Sequence, residues 1–202
     1  QKSSTKCFMI KKGPSKMSNA VTALNGATSN GYITVKEAPL TGMITLRGTF
    51  ASKGFAKMVK TVFGADIPEQ RKVSKGTDAT ILWMSPDELM VVCDYAAAQD
   101  LVAKATAQLG DEHALVVNVS DARAVFELSG AQLREVIAKE APVDMTRFEM
   151  GEVRRTRFAQ IAAAFWLEAE DHARIICFRS VAEYMFNLLK NASQPGYEVG
   201  RW

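Results

Sequence analysis

The sequence predicts an α+β fold made of two βαββα(β) repeats of the split-βαβ, ferredoxin-like type. Three observations carry this expectation. Segments of strand and helix period alternate in the order βαββαβ over residues 43–119. The same order returns over residues 124–189. The residues echo as well: Leu46-Arg-Gly and Gly64-Ala-Asp-Ile-Pro68 flank the first helix as Leu128-Ser-Gly and Glu140-Ala-Pro-Val-Asp144 flank its counterpart, and Trp83 before Glu88 answers Trp166 before Asp171.

Taken in chain order, residues 1–16 contain Lys2, Lys6, Lys11, Lys12 and Lys16 with no acid, and Met17 reads as a natural start where Gln1 does not. They are expected to be an appended or disordered leader, without the apolar stretch of a secretory signal. Residues 17–40 mix Gly, Asn, Ser, Thr and Pro without periodicity, which predicts an extended arm on a surface, with Val21, Leu24, Tyr32 and Leu40 as candidate anchors for a partner. Residues 41–202 are expected to form a single domain of two repeats, about 41–120 and 121–202.

Within the first repeat, Met43–Arg47 alternates as a strand, and Phe55, Met58, Val59, Val62 and Phe63 fall at helical spacing before Gly64 closes the helix. Strands Thr80–Met84 and Leu89–Cys93 flank the turn Ser85–Glu88, and a helix over about Ala96–Leu109 leads into strand Ala114–Val119. The second repeat reads as strand Ala124–Leu128, helix Ala131 to about Ala138, strand Phe158–Leu167, turn Glu168–Asp171, strand Ala173–Phe178 and helix Val181–Leu189.

With 48% hydrophobic and 23% charged residues, the 202-residue chain has the composition of an ordinary globular protein. Its formal charge of +3 comes from the leader, and the remainder carries 20 basic against 22 acidic residues. That leaves no electrostatic footprint for nucleic acid. The longest apolar runs, such as Ile161–Leu167, fall well short of the about 20 residues a helical span needs, so neither nucleic acid nor a membrane is an expected partner. Of the three cysteines, Cys7 lies in the leader while Cys93 and Cys177 sit in apolar strands, which fits a reducing compartment and offers no disulfide framework or zinc knuckle.

The polar residues offer little chemistry. Ser129-Gly-Ala-Gln132 and Ser180-Val-Ala-Glu183 both have capping-box spacing. Ser120 and Asp121 lie between two strands, where short polar side chains make turns, and nothing in the sequence brings His113 or His172 to Ser120 as a base. Two scattered histidines provide no metal-ligand spacing, and no GxGxxG or GxxxxGK[ST] is present, so no catalytic, cofactor or metal site is expected in this chain. Trp83, Phe165, Trp166, Tyr184 and Phe186 follow strand or helix spacing and are expected in the core. Arg147, Arg154, Arg155 and Arg157 crowd around Phe148-Glu-Met-Gly-Glu-Val. They read as a solvated loop and strand edge, as a contact surface for an acidic partner, or as a holder of phosphate or a folate carboxylate.

ITLRG, WMSPDELMVV, VVNVSDARAVFELSGAQLREVIAK, RRTRFAQIAAAFWLE and FRSVAEYMFNLL, in this order and spacing, resemble the gamma-subunit family of heterotetrameric sarcosine oxidase over nearly the whole chain. The resemblance implies a fold similar to the folate-binding domain of the aminomethyltransferase superfamily. It implies a non-catalytic structural subunit of a bacterial, cytoplasmic flavoenzyme that oxidatively demethylates sarcosine to glycine, yielding hydrogen peroxide and formaldehyde or methylenetetrahydrofolate. The partners would be the alpha, beta and delta subunits, which would hold FAD, FMN, NAD, tetrahydrofolate and zinc. The Lys-Gly-Cys-Tyr-x-Gly-Gln-Glu motif of iron–sulfur maintenance relatives is absent, and the chain ends at Trp202 without the C-terminal barrel of the glycine-cleavage protein. VSDARAVFELSG is then the joint between repeats, with Asp121 and Arg123 fixing its geometry. The alternatives are a stand-alone folate-binding module, its arginines holding a glutamate tail, and a solitary catalyst using Asp121 or Glu127.

Overall fold

The computed structural model describes residues 19–200, so the expected leader at 1–16 lies outside the described residues, as does Cys7. Among the described residues the order is β1 Thr28–Asn30, β2 Thr34–Glu37, β3 Thr41–Arg47, α1 Lys53–Phe63, β4 Val73–Lys75, β5 Ala79–Ser85, β6 Glu88–Asp94, α2 Ala98–Leu109, β7 Leu115–Asn118, β8 Arg123–Ser129, α3 Leu133–Glu140, β9 Val153–Phe158, β10 Ile161–Ala169, β11 His172–Phe178 and α4 Ala182–Ala192. They build an α+β fold with two antiparallel sheets, ordered β4-β5-β6-β3-β7 and β1-β2-β8-β11-β10-β9.

Four layers result, because the central strands are apolar on both faces while each helix has one apolar face. Helices α1 and α2 set Phe55, Met58, Val59, Phe63, Ala98 and Ala105 against Ile44, Leu46, Ile81, Leu89 and Val91 of the five-stranded sheet. On the other side, Leu133, Val136 and Ile137 of α3 and Met185 and Leu189 of α4 pack on Phe126, Leu128, Phe165 and Ile175. The inner faces meet through Met43, Leu82, Met90 and Val92 from one sheet and Val125, Val153, Trp166 and Ile176 from the other. No α-helix among the described residues is long and apolar enough to cross a membrane.

Several elements depart from expectation. The aperiodic stretch expected as a surface arm supplies β1 and β2; β2 pairs antiparallel with β8, and Ile33 and Val35 are fully buried. Its approach is templated by Glu37, whose buried carboxylate accepts hydrogen bonds from the Thr22 hydroxyl and from the amides of Leu24 and Gly26. The turn at Gly31 lies so close to the Ser193 carbonyl that a Cβ there would collide with it. The expected strand Phe158–Leu167 is β10, which starts at Ile161 and runs on to Ala169, and an unexpected strand, β9, precedes it and hairpins into it at Ala159, where φ is +47°. Arg154, Arg155 and Arg157 put charge on both faces of β9 and hid its period from a hydrophobicity reading.

Neither expected capping box forms. Ser129 Oγ shares a 2.9 Å hydrogen bond with His172 Nδ1 instead, and Gln132 and Val181, the residues before α3 and α4, make no side-chain cap. A short turn over Arg179–Val181 displaces the start of α4 past Ser180. The working cap is Ser52 on α1, whose Oγ accepts from the amides of Gly54 and Phe55, and Gly64 closes that helix with φ +73°. Tyr184, expected in the core, faces solvent, because α4 turns that side away from the sheet.

Candidate functional site

The candidate nucleophiles and bases at the joint between β7 and β8 are committed to the fold. Ser120, in the short turn Ser120–Ala122 between β7 and β8, accepts from the Met43 amide at 2.9 Å and donates to Asn118 Oδ1 at 2.6 Å, which ties the joint to the strand beside it. Asp121 accepts from the Tyr95 hydroxyl, and Glu127 pairs with Arg174 at 2.9 Å across the sheet. Burial pushes the Cys93 thiol up to about 11, Asp94 adding to it, and the Cys177 thiol up to about 12, against the pull of Arg123. Neither thiol is a nucleophile near neutral pH. Among the described residues no group of three or more His, Cys, Asp or Glu side chains is placed to hold a metal ion.

The arginine cluster does not act as one unit. Arg147, in the loop before β9, is 88% exposed and pairs with Asp144 at 3.5 Å. Arg154 points to the helix-facing side of β9, where it meets Glu152 at 3.2 Å and lies over the Phe148 ring. Arg155 and Arg157 share the opposite, inner face with Val153, by the alternation of the strand. Tyr32 and Leu40 are not brought to them. The Tyr32 hydroxyl accepts from Lys139 Nζ at 2.8 Å and donates to the Ala192 carbonyl, holding the arm on α3 and α4. Leu40 is half-buried beside a small cleft with Pro39, Tyr95 and Ser120.

What the register does assemble is a row. Arg157 faces Ala162, Arg155 faces Ala164, Ala164 faces Ile176, Ile176 faces Val125, and Phe178 faces Arg123. The inner face at this end therefore carries Arg155 and Arg157 on β9, Ala162 and Ala164 on β10, Ile176 and Phe178 on β11, and Val125 and Arg123 on β8. The Arg123 guanidinium lies 3.9 Å over the Phe178 ring, half-buried, and its Nε has no hydrogen-bond partner among the described residues. Burial lowers the Arg123 pKa below the usual guanidinium value, with Glu88 opposing and Arg155 adding to the effect. Arg155 reaches Glu88 of β6 at 3.3 Å across the inter-sheet space. A cleft of about 50 Å³ opens there, lined by Met84, Glu88, Met90, Arg123, Arg155 and Ala164 among others. Sequence reasoning found Arg155 and Arg157 but missed Phe178 and Ala162, and assigned Arg123 only to the joint, because cross-strand register leaves no mark in a linear pattern.

Comparison with known proteins places these features. Residues 47–195 match the family described as "Sarcosine oxidase, gamma subunit family". Sarcosine oxidase subunit gamma of Corynebacterium sp. (strain P-1) is 29% identical over 174 residues, covering 84% of this chain and 84% of that protein. The Arthrobacter sp counterpart is 26% identical over 152 residues, covering 73% of each. Among solved structures, a chain of the heterotetrameric sarcosine oxidase from Corynebacterium sp. U-96 in complex with pyrrole 2-carboxylate superposes with a TM-score of 0.75 at 24% identity, covering 82% of this chain and 87% of that one. Glycine cleavage system aminomethyltransferase T from Bartonella henselae superposes with a TM-score of 0.57 at 14% identity, covering 76% of this chain and 44% of that one. The likenesses to solved structures are likenesses of fold.

Proposed function

Because the chain belongs to the sarcosine oxidase gamma subunit family, we propose that it is a non-catalytic structural subunit of a cytoplasmic heterotetrameric enzyme that demethylates sarcosine. Its partners are then the alpha, beta and delta subunits, which carry FAD, FMN, NAD, tetrahydrofolate and zinc together with the chemistry. The observation that carries this reading is the committed state of the polar centre. Ser120, Asp121 and Glu127 spend their hydrogen bonds on Asn118, Tyr95 and Arg174, and the Asp121–Tyr95 bond joins the two halves of the fold.

The same reading takes about 41–120 and 121–202 as ferredoxin-like repeats. Its support is the equivalent strand order β5-β6-β3-β7 and β10-β11-β8-β2, the second of them completed by a strand from the N-terminal segment. The arginine face of β9 is then a partner contact, with Arg155 and Arg157 available to it and Arg147 and Arg154 outside the row.

The test is co-expression of the chain with its neighbouring genes, followed by native mass and an absorption spectrum of the purified sample. A yellow species several times the 22.1 kDa of the chain that oxidises sarcosine is the expected result. A colourless monomer that binds reduced folate by itself would overturn the proposal in favour of a stand-alone folate module, the reading favoured by the aminomethyltransferase-like fold.

A further inference from the structure

We infer that the inner-face row of Arg123, Phe178, Ala162, Arg155 and Arg157 is the docking groove for a carboxylate-bearing segment of a neighbouring subunit. The inference rests on the subunit reading above and names the chemistry of the contact. Size decides first between classes of occupant. A cleft of about 50 Å³ is far smaller than the roughly 300–1,000 Å³ of small-molecule sites, so it takes the tip of a side chain and not a folate or nucleotide.

Charge decides next. Two guanidinium groups, Arg123 and Arg155, line the cleft with one carboxylate, Glu88, and Arg157, exposed on the same face of β9, has no ion-pair partner among the described residues. The surplus is positive, which complements Asp or Glu. Arg123 is the most specific member. Its stacking on Phe178 holds the guanidinium plane in place, and its buried Nε carries a donor with no acceptor among the described residues. A fixed guanidinium with unused donors suits a bidentate carboxylate contact, and its conformational cost is already met by the fold. A solvated surface arginine keeps its Nε in water; this one does not. Phe178, 46% exposed, and the exposed Ala162 beside it add an apolar seat, so the segment carries an apolar residue next to its acid. Aromatic and arginine side chains side by side are the usual composition of an interface centre.

The experiment uses the assembled complex. The wild-type chain and the variants Arg123→Gln, Arg157→Glu and Phe178→Ser are each co-expressed with the neighbouring subunits, and co-elution is measured over a salt series, with thermal melting of each chain as a control for folding. Arg157→Glu and Phe178→Ser change exposed positions, so they keep the test valid if Arg123→Gln melts early. The expected result is affinity lowered at least tenfold in Arg157→Glu and Phe178→Ser, with a weaker salt dependence in Arg157→Glu. Wild-type assembly with unaltered assembly of both exposed variants overturns the groove while leaving the subunit reading standing. A wild-type chain that never co-elutes overturns both. A wild-type chain that self-associates, with Arg157→Glu monomeric, gives the groove to a second copy and overturns the assignment to a neighbouring subunit.

Discussion

Glu135 is a charged residue on the buried side of α3, only 2% exposed, and it is stable there because its partners are arranged around it. It accepts from the amides of Val199 and Gly200 at 2.7 and 3.0 Å and pairs with Lys139 at 3.1 Å, fastening the C-terminal segment to the helix. Burial pushes the Glu135 carboxyl up, but the two amides and the Lys139 ammonium together outweigh it and leave it below the ordinary 4.5. For Lys139, burial pulls down, and the hydrogen bonds to Tyr32 and Glu135 outweigh it and leave it above 10.5. A depressed carboxylate stabilises above its ordinary pKa, and that contribution is lost as pH falls through the folded value. A raised ammonium stabilises below its ordinary pKa and is lost as pH rises through the folded value. The fastening is therefore complete between about pH 5 and pH 10 and opens on acidification. Glu135→Gln should accelerate hydrogen exchange at the Val199 and Gly200 amides at least tenfold near neutral pH, since bonds to a charged acceptor contribute roughly 1.5–3 kcal/mol. Acid alone should do the same to the wild type once the pH falls through the depressed Glu135 value, below the ordinary carboxylate range, and exchange that ignores both changes would rule out this role.

Elements show where local chemistry and tertiary packing each prevail. Helix α1 has its own start and stop signals, Ser52 and Gly64, and its periodic apolar face matches the sequence pattern. Helices α3 and α4 have no side-chain cap and are held by burial of Leu133, Val136, Met185 and Leu189. Ser52→Ala should thus cost about 1 kcal/mol of stability. Ser180→Ala should cost less than half of that, with chemical denaturation as the measure; equal losses would restore the capping-box reading of Ser180. Strand β9 belongs to the other category. Its arginines break the apolar alternation, yet they also protect the outer edge of the six-stranded sheet from pairing with another chain, as charged edge strands do.

At the scale of the molecule, the two sheets are joined by one inner layer, and Trp166 lies at its centre with no exposed surface. Its indole N–H has no partner among the described residues, so the side chain contributes through packing alone. Trp166→Ala should cost about 3–5 kcal/mol, the range for emptying a large aromatic site. Trp166→Phe should cost less than half of that, since a ring remains and an unpaired donor is removed. Because β2 joins the N-terminal segment to β8, and the Tyr95 hydroxyl donates to Asp121 across the halves, thermal unfolding should be a single transition for wild type and both variants. Two separable transitions would show that the halves fold independently.

The sequence by itself determined the class of the fold, the order of its main strands and helices, the sheet-facing residues of α1, and, through its ordered motifs, the family. These depend on local period and on residue identity, both present in a linear string. Only the tertiary structure decided that the aperiodic segment before residue 41 completes a sheet, that Ser129 serves His172 instead of a helix, and that Arg123, Phe178, Arg155 and Arg157 share one face while Arg147 and Arg154 do not. Each of these depends on which strand lies beside which, and in what register. A one-residue shift in register moves a side chain to the opposite face of the sheet, and that choice is made by burial summed over all four layers and by no local signal.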